Sequence, residues 1–376
     1  ILVNLLSEQR LPNFIVAMQT QPDRVLALCT PQFQGDPARF ETLTGIPHAT
    51  LPGSPYELGE NLDRISKAIE DFPSDARVLF NFTGGTKIMA VAAVFAALAV
   101  RRNRNAELCY LETTASRMDR YGFDSAGRFT ALPSEPVDVH VPFEAYAGLL
   151  DEKIKPGYWT APIPEIEARH AAAAALLRPE CNRYFERQKD GHAGNGLREI
   201  ARIPFSSRAG EGCVEWSPAG GTLTTPNGEV HSVPGGDAGP FFAGRWLEEY
   251  CFLRLLRSSR FRQVLCDVTL ELRPETVERL PRPELRDKNQ LDVVVCDGVR
   301  AALIECKAGR VTKEHLHTLD TLRRRLLGSL GIAVLVSRSP LPPREREQAD
   351  TLGIRTVHGE NIADLPKSLS RWFAGK

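Results

Sequence analysis

Short apolar runs and amphipathic stretches alternate along the first 140 residues. Ile1 to Leu6, Arg24 to Thr30, Arg77 to Thr83 and Glu107 to Thr113 have the length and apolar density of strands, and Leu11 to Gln21, Tyr56 to Phe72 and Ile88 to Arg102 read as helices between them. This order predicts a Rossmann-like parallel sheet. Farther along, Phe242 to Ser258 places Trp246, Leu247, Tyr250, Leu253 and Leu256 at helical spacing, followed by strands at Gln263 to Leu272, Leu291 to Cys296 and Ala301 to Cys306. A helix and one more strand complete a second α/β unit. Val141 to Pro240 is less regular and reads as a small connector of helices and a hairpin. Its pieces are a linker around Lys153 to Tyr158, helices at Glu167 to Arg178 and Gly196 to Ile203, and a hairpin over Cys213 to Val233 that turns at Pro226-Asn227-Gly228. The breaker-rich Pro234 to Pro240 marks a boundary. The division is therefore 1–140, 141–240 and 241–376. Pro274 to Arg286 is a charged, proline-rich loop, read as a surface insertion or as a lid.

Three strand ends in the first unit carry polar sequences. Asn81-Phe82-Thr83-Gly84-Gly85-Thr86-Lys87 closes one strand and opens a helix; Ser7-Glu8-Gln9 with Pro12-Asn13 follows the first strand; Thr30-Pro31-Gln32 ends another. Ligands bind past the carboxyl ends of such strands, glycines let the backbone approach closely, and a helix start favours phosphate. The spacing matches neither a Walker A loop nor the G-x-G-x-x-G dinucleotide pattern, which disfavours ATP and NAD chemistry.

The second unit holds a candidate catalytic set. Asp297-Gly298 is a hairpin signal, and a connection over Asp297 to Arg300 sets Asp292 opposite Glu305, with Lys307 on the same face two residues on. Facing carboxylates destabilise a sheet unless something positive sits between them. Mg²⁺ or Mn²⁺ suits two carboxylates with the Cys306 carbonyl as a third oxygen, and Lys307 would hold or activate a water.

Composition narrows the field. The 47 Lys plus Arg balance 47 Asp plus Glu, so nucleic-acid contact must be local. Arg101-Arg102-Asn103-Arg104 reads as a helix-end complement to the dipole; Arg323 to Arg325, with Lys313, His315 and His317, either lines a substrate groove or forms a solvated face. The eight cysteines are scattered singly and read as reduced core residues, placing the chain in the cytoplasm. The longest apolar stretch, Ile88 to Val100, is too short for a bilayer.

The Asp292 and Glu305-Cys306-Lys307 hairpin resembles the core of the PD-(D/E)xK nucleases, with Leu291 where the nominal proline stands. Gly244 to Glu248 resembles the leading helix of that superfamily, whose glutamate reaches the metal through water; Glu248 rather than Glu249 is assigned that place. Taken together in order, Ser7-Glu8-Gln9, Pro12-Asn13, Asn81 to Lys87, Gly244 to Glu248, Asp292 and Glu305 to Lys307 resemble CRISPR-associated CARF sensors fused to such a nuclease. The resemblance implies a homodimer that binds cyclic tetra-adenylate between paired sensor domains and then cleaves DNA or RNA. It assigns ligand contacts to Ser7, Gln9, Asn13, Thr30, Asn81, Thr83, Gly84, Gly85, Thr86 and Lys87. It assigns catalysis to Glu248, Asp292, Glu305 and Lys307, with Cys306 joining the three carboxylates at the metal. A nucleic-acid-binding regulator without cleavage and a nuclease without an activator are the alternatives.

Overall fold

The computed structural model describes residues 1–8, 10–113, 115–150, 152–155, 201–207, 210–217, 219–234, 241–272 and 289–375. The amino-terminal half alternates β1 (Leu2–Leu6), α1 (Leu11–Thr20), β2 (Val25–Cys29), α2 (Asp36–Thr44), β3 (His48–Pro52), α3 (Leu58–Glu70), β4 (Val78–Asn81), α4 (Lys87–Val100) and β5 (Ala106–Glu112). β6 (Arg117–Phe123) and β7 (Phe129–Pro136) follow, giving a sheet of order β3-β2-β1-β4-β5-β6-β7. The first five strands in that order are parallel and the last two pair antiparallel. Strand order reverses between β1 and β4, so the loops after β1, β2 and β4 leave the same edge of the sheet at a topological switch point. β1, β2 and β4 are buried throughout, as befits parallel strands covered on both faces.

The carboxy-terminal half builds a sheet of order β17-β16-β15-β14-β13-β8. Its parts are β8 (Glu152–Lys155), α6 (Trp246–Arg257), β13 (Gln263–Leu272), β14 (Asn289–Asp297), β15 (Arg300–Lys307), α7 (Lys313–Leu327) and β16 (Gly331–Ser337). α8 (Pro343–Thr351), β17 (Arg355–His358) and α9 (Leu365–Phe373) complete it. A wide first turn, Phe241–Arg245, kinked at Gly244, leads into α6. Between the two halves, β9 (Ala201–Ser207), β10 (Gly210–Ser217), β11 (Gly220–Thr224) and β12 (Val230–Pro234) form a separate antiparallel sheet.

This intervening region departs from the sequence reading in three places. Lys153 to Lys155 are not linker: they lie in β8, which pairs antiparallel with the outer edge of β13. Residues 201–203, read as the end of a helix, lie in β9, where the cross-strand partners supplied by β10 outweigh local preference. Cys213 to Val233 spans two hairpins; the second turns at Pro226-Asn227-Gly228, and the first turns between β10 and β11. The helix placed at Glu167 to Arg178, the loop at Pro274 to Arg286 and the breakers at 235–240 lie outside the described residues.

Three cores hold the molecule. One lies between the amino-terminal sheet and α3 and α4. A second joins α6, α9 and the β9–β12 sheet to one face of the carboxy-terminal sheet. The third is continuous across the halves, running from α1 and β2 through α5 (Phe143–Leu149) to β14, β15 and α7. α5 and the segment before it also grip the tip of the β14–β15 hairpin. Val141 N donates to Gly298 O at 2.8 Å, and the buried Tyr146 hydroxyl donates to Val299 O at 2.8 Å.

Candidate functional site

At the switch point, two polar loops meet. The Gly85 amide donates to Ser7 Oγ at 3.2 Å, tying the β4–α4 loop to the β1–α1 loop. The glycine pair permits this approach: a Cβ at Gly84 would stand 2.6 Å from Leu5 O and 2.8 Å from Asn13 Nδ2, and Gly85 has φ +78°. Thr86 caps α4, its hydroxyl accepting from Met89 N at 3.2 Å and donating to Pro55 O at 3.2 Å. Lys87 stands exposed at the first turn of that helix. Thr83 Oγ1 accepts from Leu111 N at 2.7 Å, so the loop is also fastened to β5.

Asn13 and Asn81 differ from the sequence assignment. Both are fully buried, and with Asn4 they form a closed network under the loops. Asn81 Nδ2 donates to Asn4 Oδ1 and to Asn13 Oδ1, each at 3.0 Å, and Asn13 Nδ2 donates to Leu5 O at 2.9 Å. Polar groups that satisfy one another inside the sheet shape the rim above them. Thr30 is also buried, and its hydroxyl has no hydrogen-bond partner among the described residues. Gln9 lies outside the described residues.

At the other site, β14 and β15 pair Asp297 with Arg300 and Val293 with Ile304 around a two-residue turn, Gly298-Val299. Continued by one step, this register brings Asp292 level with Glu305. Asp292 is buried, and one of its oxygens accepts from Cys306 N at 2.7 Å. Lys307 Nζ stands 2.5 Å from Glu305 Oε1 and 3.8 Å from Asp292 Oδ2. From α6, Glu248 completes the group, while the neighbouring Glu249 is buried and paired with Arg245 at 2.8 Å.

The electrostatics mark a crowded site. Burial, then the charges of Asp292 and Glu305 against the opposing pull of Lys307, push the Glu248 carboxyl up to about 9. Burial and Glu305 push Asp292 up to about 7. Burial alone would lower Lys307, but Asp292 and Glu305 outweigh it and hold the ammonium above its ordinary value. Carboxylates that hold protons against one another are hard oxygen donors short of positive charge, which is the chemistry that accepts a divalent cation. Among the described residues no three His, Cys, Asp or Glu side chains are arranged to hold a metal ion by themselves. Asp292, Glu305 and the Cys306 carbonyl are candidate oxygen donors to such a cation.

Sequence reasoning missed Asp267. It lies in β13 with φ +54°, level with Asp292 on the next strand, and its charge adds to the upward push on both Glu248 and Asp292. A left-handed residue inside a strand is rare and carries strain. An acidic residue in an otherwise apolar run was the available signal.

Residues 1–121 match the family model of the Card1 CARF domain, and residues 236–376 match that of the Card1-like endonuclease domain. The chain joins a Card1 CARF domain to a Card1-like endonuclease domain. Can2 from Sulfobacillus thermosulfidooxidans, solved in complex with cyclic tetra-adenylate, is 20% identical over 100% of this chain and 99% of its own, with a TM-score of 0.70. Protein VC1899 from Vibrio cholerae is 15% identical over 99% of this chain and 97% of its own, with a TM-score of 0.71. A type III CRISPR defence DNA nuclease activated by cyclic oligoadenylate aligns over 98% of this chain but 51% of its own, at 17% identity and a TM-score of 0.57. No curated protein matches in sequence. In this Card1-like chain no helix among the described residues is long and apolar enough to cross a membrane.

Proposed function

We propose that this chain is a cyclic tetra-adenylate-activated, divalent-metal-dependent endonuclease of type III CRISPR defence, acting on DNA, RNA or both in the cytoplasm. The observation that carries the reading is Lys307 set between Glu305 and Asp292 in a Card1-like endonuclease domain. The named complex of Can2 with cyclic tetra-adenylate supports the activator. The buried free thiols Cys29, Cys109, Cys251, Cys266, Cys296 and Cys306 fit a reducing compartment. Three parts serve the function: a sensor over 1–140, a connector over 141–240 that lends β8 to its neighbour, and a nuclease over 241–376.

Asp292, Glu305 and the Cys306 carbonyl would hold Mn²⁺ or Mg²⁺, with Glu248 acting through water. When bound, the metal supplies charge stabilisation to the scissile phosphate and an activated water. Lys307, between its carboxylates, would orient water and neutralise phosphate charge. On the sensor, Ser7, Thr83, Gly84, Gly85, Thr86 and Lys87 form the ligand rim, with Gln9 and Thr30 assigned to it from sequence. The Asn13 and Asn81 network braces it.

α4 supports a homodimer. Lys87, Val91 and Phe95 fall on one row of the helix, and Val91 and Phe95 are 42% and 47% exposed, an apolar face that begins at the ligand loop. Two copies joined there would present the same loops to a ligand with its own two-fold axis. Ligand binding would favour one arrangement of the pair, a population shift.

The test is cleavage of supercoiled plasmid and labelled single-stranded RNA with Mn²⁺ or Mg²⁺, with and without cyclic tetra-adenylate. Ligand-dependent cutting that Glu305→Ala lacks is expected. Cutting indifferent to ligand would favour a constitutive nuclease; no cutting would favour a binding protein. Calorimetry separates the sites: Glu305→Ala should bind cyclic tetra-adenylate as the parent does, and Lys87→Ala should bind it more weakly.

A further inference from the structure

α7 opens beside the nuclease site, and its third residue is a histidine doing a glutamate's work. Thr312 caps the helix: its side chain accepts from the His315 amide, and His315 Nδ1 accepts from Thr312 N at 3.1 Å. Glu or Gln ordinarily fills this place in a capping box. An imidazole does it with one nitrogen and keeps the other. Because Nδ1 accepts a hydrogen bond it carries no proton, so the ring is neutral and the proton sits on Nε2. Nε2 makes no hydrogen bond within the described residues.

The topology places His315 at the edge that carries the site. β15 and β16 run parallel, so the loop over 308–312 leaves the carboxyl edge of the sheet, where Glu305 and Lys307 end β15. His315 is half-buried at this edge, within the fields of both Lys307 and Glu305, while His317 is exposed. A neutral donor suits a place already holding an ammonium and suited to a dication, because it adds a hydrogen bond without adding repulsion.

We propose that His315 contacts the substrate, donating its Nε2–H to a non-bridging oxygen of the phosphodiester that is cleaved. The proposal rests on the endonuclease reading of the site. In phosphoryl transfer charge is spread over these oxygens, and a fixed donor aimed at one of them lowers the barrier without reorganising.

Three variants of the full chain separate this role from helix capping. His315→Ala loses both cap and donor. His315→Glu keeps the cap acceptor and loses the donor. His315→Gln keeps the acceptor and offers an amide N–H in its place. Plasmid cleavage with Mn²⁺ and cyclic tetra-adenylate should fall about 10²-fold in kcat for Ala and Glu, with KM little changed, and only a few-fold for Gln. Melting temperatures of Glu and Gln should match the parent. Equal activity of Glu and Gln, or an unaffected Ala variant, would overturn the contact and leave His315 as a cap. If the parent protein cleaves neither plasmid nor RNA under any of these conditions, the endonuclease reading falls and takes the proposal with it.

Discussion

Asp267 and Asp292 stand level on neighbouring strands, and at each its strand exchanges faces. Cys266 packs into the core beneath α6, yet Val268 packs into the core shared with the sensor half; Leu291 and Val293 divide in the same way. The site is built where two strands twist together, which re-aims side chains that simple alternation would send elsewhere. A titration consequence follows. Unfolded, Asp292 and Glu248 release protons near pH 4. Folded and without metal, they hold them to about 7 and about 9. The folded state then binds more protons than the unfolded state across that window, so stability falls as pH rises through it. Melting temperatures taken from pH 5 to 9 in EDTA should decline, and Mn²⁺ should flatten the decline by taking the place of the protons. A slope untouched by Mn²⁺ would count against a metal at these carboxylates. The pairing of Asp292 with Glu305 and Lys307 was legible because a turn signal fixes register. Asp267 was not, since its one signal, an acidic residue among apolar ones, does not announce a left-handed backbone.

At the level of elements, legibility tracked burial. The apolar strands β1, β2 and β4 and the nearly all-apolar α4 stand out in the sequence, as do β13 to β15. α2 (DPARFETLT) and β3 (HATLP) do not: the helix buries Asp36, Pro37 and Phe40, and the strand is a half-exposed edge. Their polar residues hide the period that exposes the others. α4 has no acidic residue in its first turn, so Thr86 carries its capping. Thr86→Ala should cost about 1 kcal/mol in denaturant unfolding. It should also weaken cyclic tetra-adenylate binding in calorimetry, because the same hydroxyl anchors the loop to Pro55 O.

The whole molecule is joined more closely than its sequence boundaries suggest. The core that runs from α1 through α5 to α7 predicts that the two halves melt in one calorimetric transition, not two. The dimerisation proposed through α4 would be separable from it: Phe95→Glu should sediment as a monomer, keep its fold by circular dichroism and lose ligand-stimulated cleavage. Part of the connector was illegible because one of its pairings is long-range. β8 lies near its start, yet pairs with β13, which comes after it. A protein cut at residue 236, where similarity to the endonuclease family begins, would retain every catalytic side chain and lose that cover. Thr269 to Leu272 would then present unpaired amides and carbonyls along an open edge, a template for strands of other molecules. The isolated carboxy-terminal half is thus expected to self-associate through β13, and the few residues of β8 serve the full chain as a guard against aggregation.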